Sequence, residues 1–179
     1  LLQLVGILDN VRSRYNVGAI FRTADGLGVF KLYLCGITPK PDREEDRLGI
    51  AKTALGAEQS VPWEGFDETV SLIRRLTAEG YLIIALETDV RGTSLDQIQT
   101  GTLAKWARRS ETSSEVKEAG SIPIKLALIV GHEVYGIRRS VLDEADMIAE
   151  IPMHGTKRSL NVEVSFAICV YALRQVEEV

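Results

Sequence analysis

The chain has 179 residues, a formal net charge of −4, 45% hydrophobic residues and a mean hydropathy of +0.04. This composition excludes an intrinsically disordered chain, and the length suits a single domain over residues 1–179. The acidic balance argues against broad nucleic-acid affinity. No apolar run approaches the ~20 residues that cross a bilayer, so we expect no membrane partner.

Two cysteines and two histidines limit the metal and redox chemistry. Cys35 and Cys169 lie in apolar surroundings, which predicts buried free thiols and a cytoplasmic location. With only His132 and His154 and no Cys-x-x-Cys pattern, no metal site is expected. His132 and the following glutamate begin a His-Glu-x-x-His pattern, but Gly136 takes the place of the second histidine.

Short apolar runs alternate with helical patterns in the first part of the chain. The predicted elements are a strand over Leu4–Leu8, a helix capped by Asn16 and ending at Leu27, a strand over Lys31–Cys35, a solvated charged loop over Asp42–Asp46 and a helix over Leu48–Gln59. Such alternation is typical of a parallel sheet with helices on both faces.

The second part continues the alternation. The predicted elements are a helix capped by Asp67 and closed by Gly80, strands over Tyr81–Leu86, Lys125–Val130 and Met147–Ile151, a helix around Ser140–Glu144, and a helix over Leu160–Val176 with an apolar stripe at Val164, Ile168, Tyr171 and Ala172. Residues 91–122 are rich in Gly, Ser, Thr and charge and break the rhythm, which predicts a surface insertion.

The segment after the first strand decides between nucleotide-binding folds. A dinucleotide-binding domain would have Gly-x-Gly-x-x-Gly there, whereas residues 9–18 contain only Gly18. Farther along, Asn16 is either a plain helix cap or a site residue. Arg22 is either a solvated charge or a partly buried guanidinium suited to phosphate.

Two later segments carry candidate polar residues at strand ends. Glu133 either complements a helix dipole or belongs to a site, and Ser159 and Asn161 either cap the last helix or belong to the same site. Tyr135 is expected to pack in the interior. Because ligands bind beyond the carboxyl ends of strands in open α/β sheets, the segments are expected to form one site.

Basic residues cluster locally although the chain is acidic. Arg12 and Arg14 precede the first predicted helix, and Lys157 and Arg158 stand in the turn before the last one. This distribution allows a local basic groove on an acidic protein.

Three segments together resemble the motifs of the SpoU/TrmH family of RNA methyltransferases, within the SPOUT superfamily. They are Asn16-Val17-Gly18-Ala19-Ile20-Phe21-Arg22-Thr23-Ala24, Ile129-Val130-Gly131-His132-Glu133-Val134-Tyr135-Gly136-Ile137, and Ile151-Pro152-Met153 with Ser159-Leu160-Asn161-Val162. The resemblance covers residues 4–175. It implies a parallel α/β domain with a C-terminal deep trefoil knot, S-adenosyl-L-methionine as cofactor, a homodimer, and methylation of a ribose 2′-hydroxyl in tRNA or rRNA.

The resemblance also implies roles for individual residues. Those expected to hold S-adenosyl-L-methionine are Leu86, Thr88, Gly131, Ile151, Met153 and Leu160, and those expected to form the catalytic site are Arg22, Asn16, Glu133, Ser159 and Asn161. Those expected to bind RNA, with an affinity that falls with salt, are Arg12, Arg14, Lys157 and Arg158. A guanidinium keeps its proton at neutral pH. Arg22 is therefore expected to orient the hydroxyl and stabilise the developing alkoxide rather than to abstract a proton.

Two other functions compete with ribose methylation. One is methylation of a base nitrogen in tRNA, as in the TrmD branch of the superfamily, against which the Asn16 and Arg22 pair argues. The other is a non-catalytic RNA-binding module with the same fold, against which the full set of expected polar residues argues.

Overall fold

The computed structural model describes residues 2–98 and 124–175, and the strands in these ranges form one parallel sheet. The strands are β1 Leu2–Asp9, β2 Lys31–Cys35, β3 Trp63–Phe66, β4 Leu82–Leu86, β5 Thr93–Ser94, β6 Ile124–Val130 and β7 Met147–Glu150. Their spatial order is β3-β2-β1-β6-β4-β7-β5, and every pairing is parallel. The predicted parallel α/β sheet is therefore confirmed.

The helices of the described ranges connect these strands. They are α1 Arg14–Gly26, α2 Glu44–Ala54, α3 Ala57–Ser60, α4 Thr69–Ala78, α5 Leu95–Gln97, α6 Arg139–Leu142 and α7 Val162–Arg174. Alternate strand residues feed two separate cores. One core lies under α1, α2 and α7, and the other lies under α4 and α6. The helices therefore cover both faces of the sheet, as predicted.

Two close approaches hold the first core together. On β1, a side chain at Gly6 would collide with Leu32 and Phe166, so α7 sits directly on the strand. On α1, a side chain at Gly18 would collide with the backbone of Ile50, so α1 and α2 cross closely. Glycine at positions 6 and 18 therefore allows these close approaches.

The last helix is also fixed by hydrogen bonds. The guanidinium of Arg174 donates to the carbonyl oxygens of Leu2 at 3.1 Å and Leu27 at 3.0 Å, and also to that of Gly28. These bonds join the end of α7 to the start of β1 and the end of α1.

Several predicted elements need correction. Ser13, not Asn16, caps α1: its side chain accepts a hydrogen bond from the Asn16 N–H at 3.3 Å. The charged run over Asp42–Asp46 is solvated at its first four residues, as predicted, but it opens α2 from Glu44 onward, and Asp46 is buried against Arg14 at 2.7 Å. The short edge strand β3 is absent from the prediction.

The predicted apolar stripe of the last helix faces outward. Val164, Ile168 and Tyr171 are exposed, while the buried face of α7 consists of Phe166, Cys169, Val170 and Leu173. Tyr135, expected to be interior, is 84% exposed.

The predicted insertion over 91–122 lies mostly outside the described residues. Its described part, residues 91–98, forms β5 and α5, with Leu95 and Ile98 buried. Cys35 and Cys169 are both free and buried, which confirms the prediction of buried thiols. Burial raises the pKa of each thiol to about 12. Within residues 2–98 and 124–175, no helix is long and apolar enough to span a membrane, and no group of His, Cys, Asp or Glu could hold a metal ion.

Candidate active site

The site lies beyond the carboxyl ends of the central strands, where four loops meet. These loops follow β1, β4, β6 and β7, and their residues contact one another through Glu133 and a shared cleft. Because β1, β6, β4 and β7 are successive neighbours in the sheet, residues far apart in sequence are brought to one edge.

Glu133 connects the loop after β6 to the amino end of α1. Its carboxylate accepts hydrogen bonds from the backbone N–H groups of Arg12 at 3.0 Å and Ser13 at 2.8 Å, and from the Asn16 side-chain amide at 2.9 Å. Partial burial raises the pKa of Glu133, but these hydrogen bonds outweigh burial, and the pKa lies below its usual value. Glu133 is therefore a negative charge fixed at a helix N-terminus.

Asn16 continues this network to the last helix. While its amide group donates to Glu133, its Oδ1 accepts a hydrogen bond from Asn161 Nδ2 at 3.2 Å. Asn161 is also the N-cap of α7, since its Oδ1 accepts from the Glu163 N–H at 2.9 Å. Three predicted catalytic residues thus form one hydrogen-bonded chain.

Next to this chain is a cleft between the loops after β4, β6 and β7. All six residues predicted to hold the cofactor line it, namely Leu86, Thr88, Gly131, Ile151, Met153 and Leu160. Glu133 and Ser159 lie on its wall, as does Arg158, which was assigned to RNA. The lining combines apolar side chains with hydroxyl, carboxylate and guanidinium groups, so it suits a ligand that has both apolar and polar parts.

The backbone of this cleft has free hydrogen-bonding capacity. Residues 151–160 make no backbone hydrogen bond to any residue the structure describes, and the same holds for Gly131. Main-chain donors and acceptors that are not paired internally are available to a ligand. The cleft therefore offers the kind of groups that read the edge of an adenine.

Glu87 lies between the predicted cofactor residues Leu86 and Thr88 at the predicted strand end and lines the same cleft. Its carboxylate accepts from the Ile137 N–H at 2.8 Å and the Thr88 N–H at 3.0 Å. It packs against Gly136, which has a φ of +66° and leaves no room for a side chain. Its position at the end of a buried strand was the sequence signal for this place in the site.

A buried ion pair forms a second link between the loop after β6 and β1. Asp9, 1% exposed, accepts from the Thr69 hydroxyl at 2.5 Å and from Arg138 Nη2 at 3.2 Å. The loop is therefore held at Glu133 to the residues just before α1 and at Arg138 to the end of β1.

Arg22 does not line the cofactor cleft. It is exposed on α1, six residues or roughly 9 Å along the helix from Asn16, and lines a separate groove with Lys52 and Glu163. Its side chain makes no hydrogen bond or ion pair with any described residue. The groove nevertheless borders the first turn of α7, which begins next to Asn161.

The remaining predicted RNA-binding residues lie in the loops after β1 and β7 and at the start of α1, at the edge of the sheet that carries the cleft. Arg12 is exposed, whereas the Arg14 guanidinium is engaged by Asp46. Lys157 is exposed in the turn between β7 and α7.

This geometry matches a known class of proteins. The SpoU rRNA Methylase family matches residues 3–171, so the chain belongs to that family. Among solved structures, it resembles the AdoMet-bound rRNA methyltransferase from Sinorhizobium meliloti with a TM-score of 0.76 and 24% identity, over 97% of this chain and 56% of that one. The A. aeolicus TrmH/SpoU tRNA modifying enzyme gives a TM-score of 0.75 and 26% identity, over 99% and 77%.

Curated relatives point in the same direction. The chain is 30% identical to the 23S rRNA (guanosine-2′-O-)-methyltransferase RlmB of Neisseria meningitidis serogroup B, over 96% of this chain. It is 31% identical to RlmB of Escherichia coli K12, over 94% of this chain. The chain spans 58% and 59% of the length of these two relatives.

Proposed function

We propose that the protein is an S-adenosyl-L-methionine-dependent RNA methyltransferase that acts on a ribose 2′-hydroxyl of rRNA or tRNA. The observation that carries the proposal is the chain of hydrogen bonds from Glu133 through Asn16 to Asn161, directly beside a cleft lined by all six expected cofactor residues. The relatives named as guanosine-2′-O-methyltransferases favour ribose over a base nitrogen as the acceptor.

The cleft fits the cofactor in its chemistry. Leu86, Ile151 and Leu160 supply apolar walls for an adenine, and the unpaired backbone of residues 151–160 supplies donors and acceptors. When bound, S-adenosyl-L-methionine supplies a methyl group on a positively charged sulfur. Thr88 and Ser159 supply hydroxyls for the polar parts of the molecule.

The residues of the chain would position and activate the ribose. Glu133 has a lowered pKa and already accepts three hydrogen bonds, so it is a weak base. Its role is to orient Asn16 and the start of α1. The Arg22 side chain makes no hydrogen bond or ion pair within the described residues. It would stabilise the alkoxide that develops at the 2′-oxygen of a ribose bound between its groove and the cofactor cleft. Holding the hydroxyl in line with the methyl group would supply much of the acceleration.

We also propose that the protein is a homodimer. The exposed apolar stripe Val164, Ile168 and Tyr171 on α7 supports a subunit contact, since a helix that is apolar all round is normally covered on every side. The stripe follows directly on Leu160 and Asn161, which places the site near that contact.

The finer points of the fold are proposals as well. A C-terminal trefoil knot is supported by the path of residues 151–161, which return from β7 past the ends of β4 and β6 to bring α7 onto β1. An experimentally phased chain trace would test it. A single domain with an insertion over 91–122 is proposed on the basis of the family. A cytoplasmic location is proposed on the basis of the buried thiols.

Calorimetry with S-adenosyl-L-methionine and S-adenosylhomocysteine is the first test. One saturable site per subunit is expected. Transfer of labelled methyl to rRNA and tRNA, followed by nucleoside analysis, then separates a 2′-O-methyl product from a methylated base. A methylated base would favour the base-nitrogen alternative, and cofactor binding without methyl transfer to either RNA would favour the non-catalytic RNA-binding module. Absence of cofactor binding would contradict the proposal.

A further inference from the structure

A second cleft opens beside the cofactor cleft, on the other side of Glu133. It is lined by Arg12, Ser13, Arg14, Tyr15, His132, Glu133 and Val134. His132, Glu133 and Val134 line both clefts, so a ligand in the second cleft would lie next to the cofactor cleft. None of the roles assigned above uses Tyr15, Val134 or Tyr135.

Large exposed side chains lie in or next to this cleft: Tyr15 and Val134 line it, and Tyr135 packs on His132, which also lines it. Tyr15 is 53% exposed, Val134 is 78% exposed and Tyr135 is 84% exposed. Leaving such side chains in water forgoes the free energy of their burial, so a cluster of them next to a site marks a surface that a ligand covers.

The tip formed by residues 132–136 is held in place without that ligand. His132 and Gly136 exchange two backbone hydrogen bonds of 3.2 and 2.8 Å, and His132 Nδ1 accepts from the Val134 N–H at 3.0 Å. The ring of Tyr135 packs on the ring of His132 with a centroid distance of 4.8 Å. A preorganised aromatic surface loses little conformational entropy on binding.

The charges around the cleft favour an anionic ligand. Arg12 is exposed, and its guanidinium makes no hydrogen bond or ion pair with the described part of the chain. Lys52 lies 5.9 Å from the Tyr15 ring centroid. The acids nearby are already engaged, since Glu133 accepts from backbone N–H groups and Asp46 pairs with Arg14.

We propose that this cleft stacks an unpaired RNA base on Tyr135 and Tyr15, with Arg12 on the adjoining phosphate. The inference rests on the proposed function, because it makes the stacked base a neighbour of the methylated ribose. Aromatic side chains flanked by cations are the usual means of binding unpaired bases, and every base has a face that can stack. The cleft would thus select unpaired over duplex RNA.

The test measures binding of a short single-stranded oligouridylate and of its abasic ribose-phosphate counterpart, with S-adenosylhomocysteine present. We expect the wild-type protein to bind the base-bearing RNA more tightly. Tyr135→Ala should weaken that binding about 5- to 150-fold and leave the abasic RNA unaffected, whereas Tyr135→Phe should retain stacking. Arg12→Ala should weaken both RNAs alike. Phe30→Ala, an exposed aromatic before β2, is the matched control.

Each other outcome has a defined meaning. Equal wild-type affinity for the two RNAs, or unchanged affinity in both Tyr135→Ala and Tyr15→Ala, would overturn the stacking cleft alone if the wild type still transfers methyl to RNA. If Tyr135→Ala weakens RNA binding and also changes the oligomeric state, the tip formed by residues 132–136 is a subunit contact, and the stacking cleft is overturned as well. A wild-type protein that neither binds nor methylates RNA would overturn the proposed function and this inference together.

Discussion

Glu133 illustrates how a single side chain serves structure and site together. It is distant in sequence from Arg12 and Ser13, yet its carboxylate accepts both of their N–H groups. These N–H groups lie just before α1, where a negative charge interacts favourably with the helix dipole. The lowered pKa of Glu133 means that its ionised form is more favourable in the folded protein than in the unfolded chain.

A pH prediction follows for Glu133→Gln. A carboxyl with a lowered folded-state pKa stabilises the fold above its usual value of 4.5, and that contribution is lost as pH falls through the folded-state value. Urea unfolding of both proteins between neutral and acidic pH should therefore show the wild type more stable at neutral pH and the difference shrinking below about pH 4.5. A difference that grows on acidification would contradict the network.

Arg22→Ala tests the residue that stands apart from the cofactor cleft. Arg22 takes no part in the hydrogen bonds of Glu133 and does not line that cleft. The cofactor affinity and the free energy of unfolding should therefore not change. If it stabilises the developing alkoxide, methyl transfer should fall about 10²-fold or more. Arg74→Ala, an exposed arginine on α4 across the sheet, should keep full activity. Retained activity in Arg22→Ala would remove Arg22 from the catalytic set.

At the level of elements, the crossing of α1 and α2 depends on Gly18. A Cβ there would lie closer than 3.0 Å to the Ile50 carbonyl oxygen, and backbone cannot yield as a side chain can. Gly18→Ala should cost about 2–3 kcal/mol or more of unfolding free energy. Gly26→Ala, with open space around it in the same helix, should be neutral or stabilising by up to ~1 kcal/mol. Similar unfolding midpoints for the two variants would contradict this packing.

The elements also show how far sequence patterns reach. Lys31–Cys35 was predicted with its observed bounds because a continuous apolar run between turns admits few other structures. In the run over Asp42–Asp46, charge alone predicts solvation, which holds for the first four residues and is wrong for Asp46. Whether Asp46 is buried depends on Arg14, thirty-two residues earlier in the chain, and sequence spacing cannot reveal that pair.

For the last helix, the prediction of its buried face was wrong for a different reason. Residues at Val164, Ile168 and Tyr171 and residues at Phe166, Val170 and Leu173 both follow helical spacing, so periodicity does not say which face meets the core. For the site, motif resemblance grouped Asn16, Glu133 and Asn161, which the structure joins by hydrogen bonds. It could not predict the second cleft, because the exposure of Tyr135 depends on a loop closed by backbone hydrogen bonds.

For the whole molecule, the two apolar faces of α7 connect fold to assembly. One face packs on the sheet beneath α1, and the other is left in water in a single chain. Because Asn161 caps this helix and its side chain donates a hydrogen bond to Asn16, whatever covers the outer face also lies close to these two proposed catalytic residues. A dimer through α7 would therefore both bury the stripe and enclose the site.

Ile168→Glu tests this assembly. Ile168 is 39% exposed in the single chain, so the variant should fold, but a carboxylate in an apolar subunit contact should convert a dimer to monomer. Sedimentation velocity would measure the change, and Val90→Glu, at a fully exposed loop position, should leave the dimer intact. If Ile168→Glu is monomeric and loses methyl transfer while keeping cofactor affinity, the partner subunit completes the RNA site rather than the cofactor site. A wild-type protein that sediments as a monomer would contradict the dimer and leave the stripe to another partner.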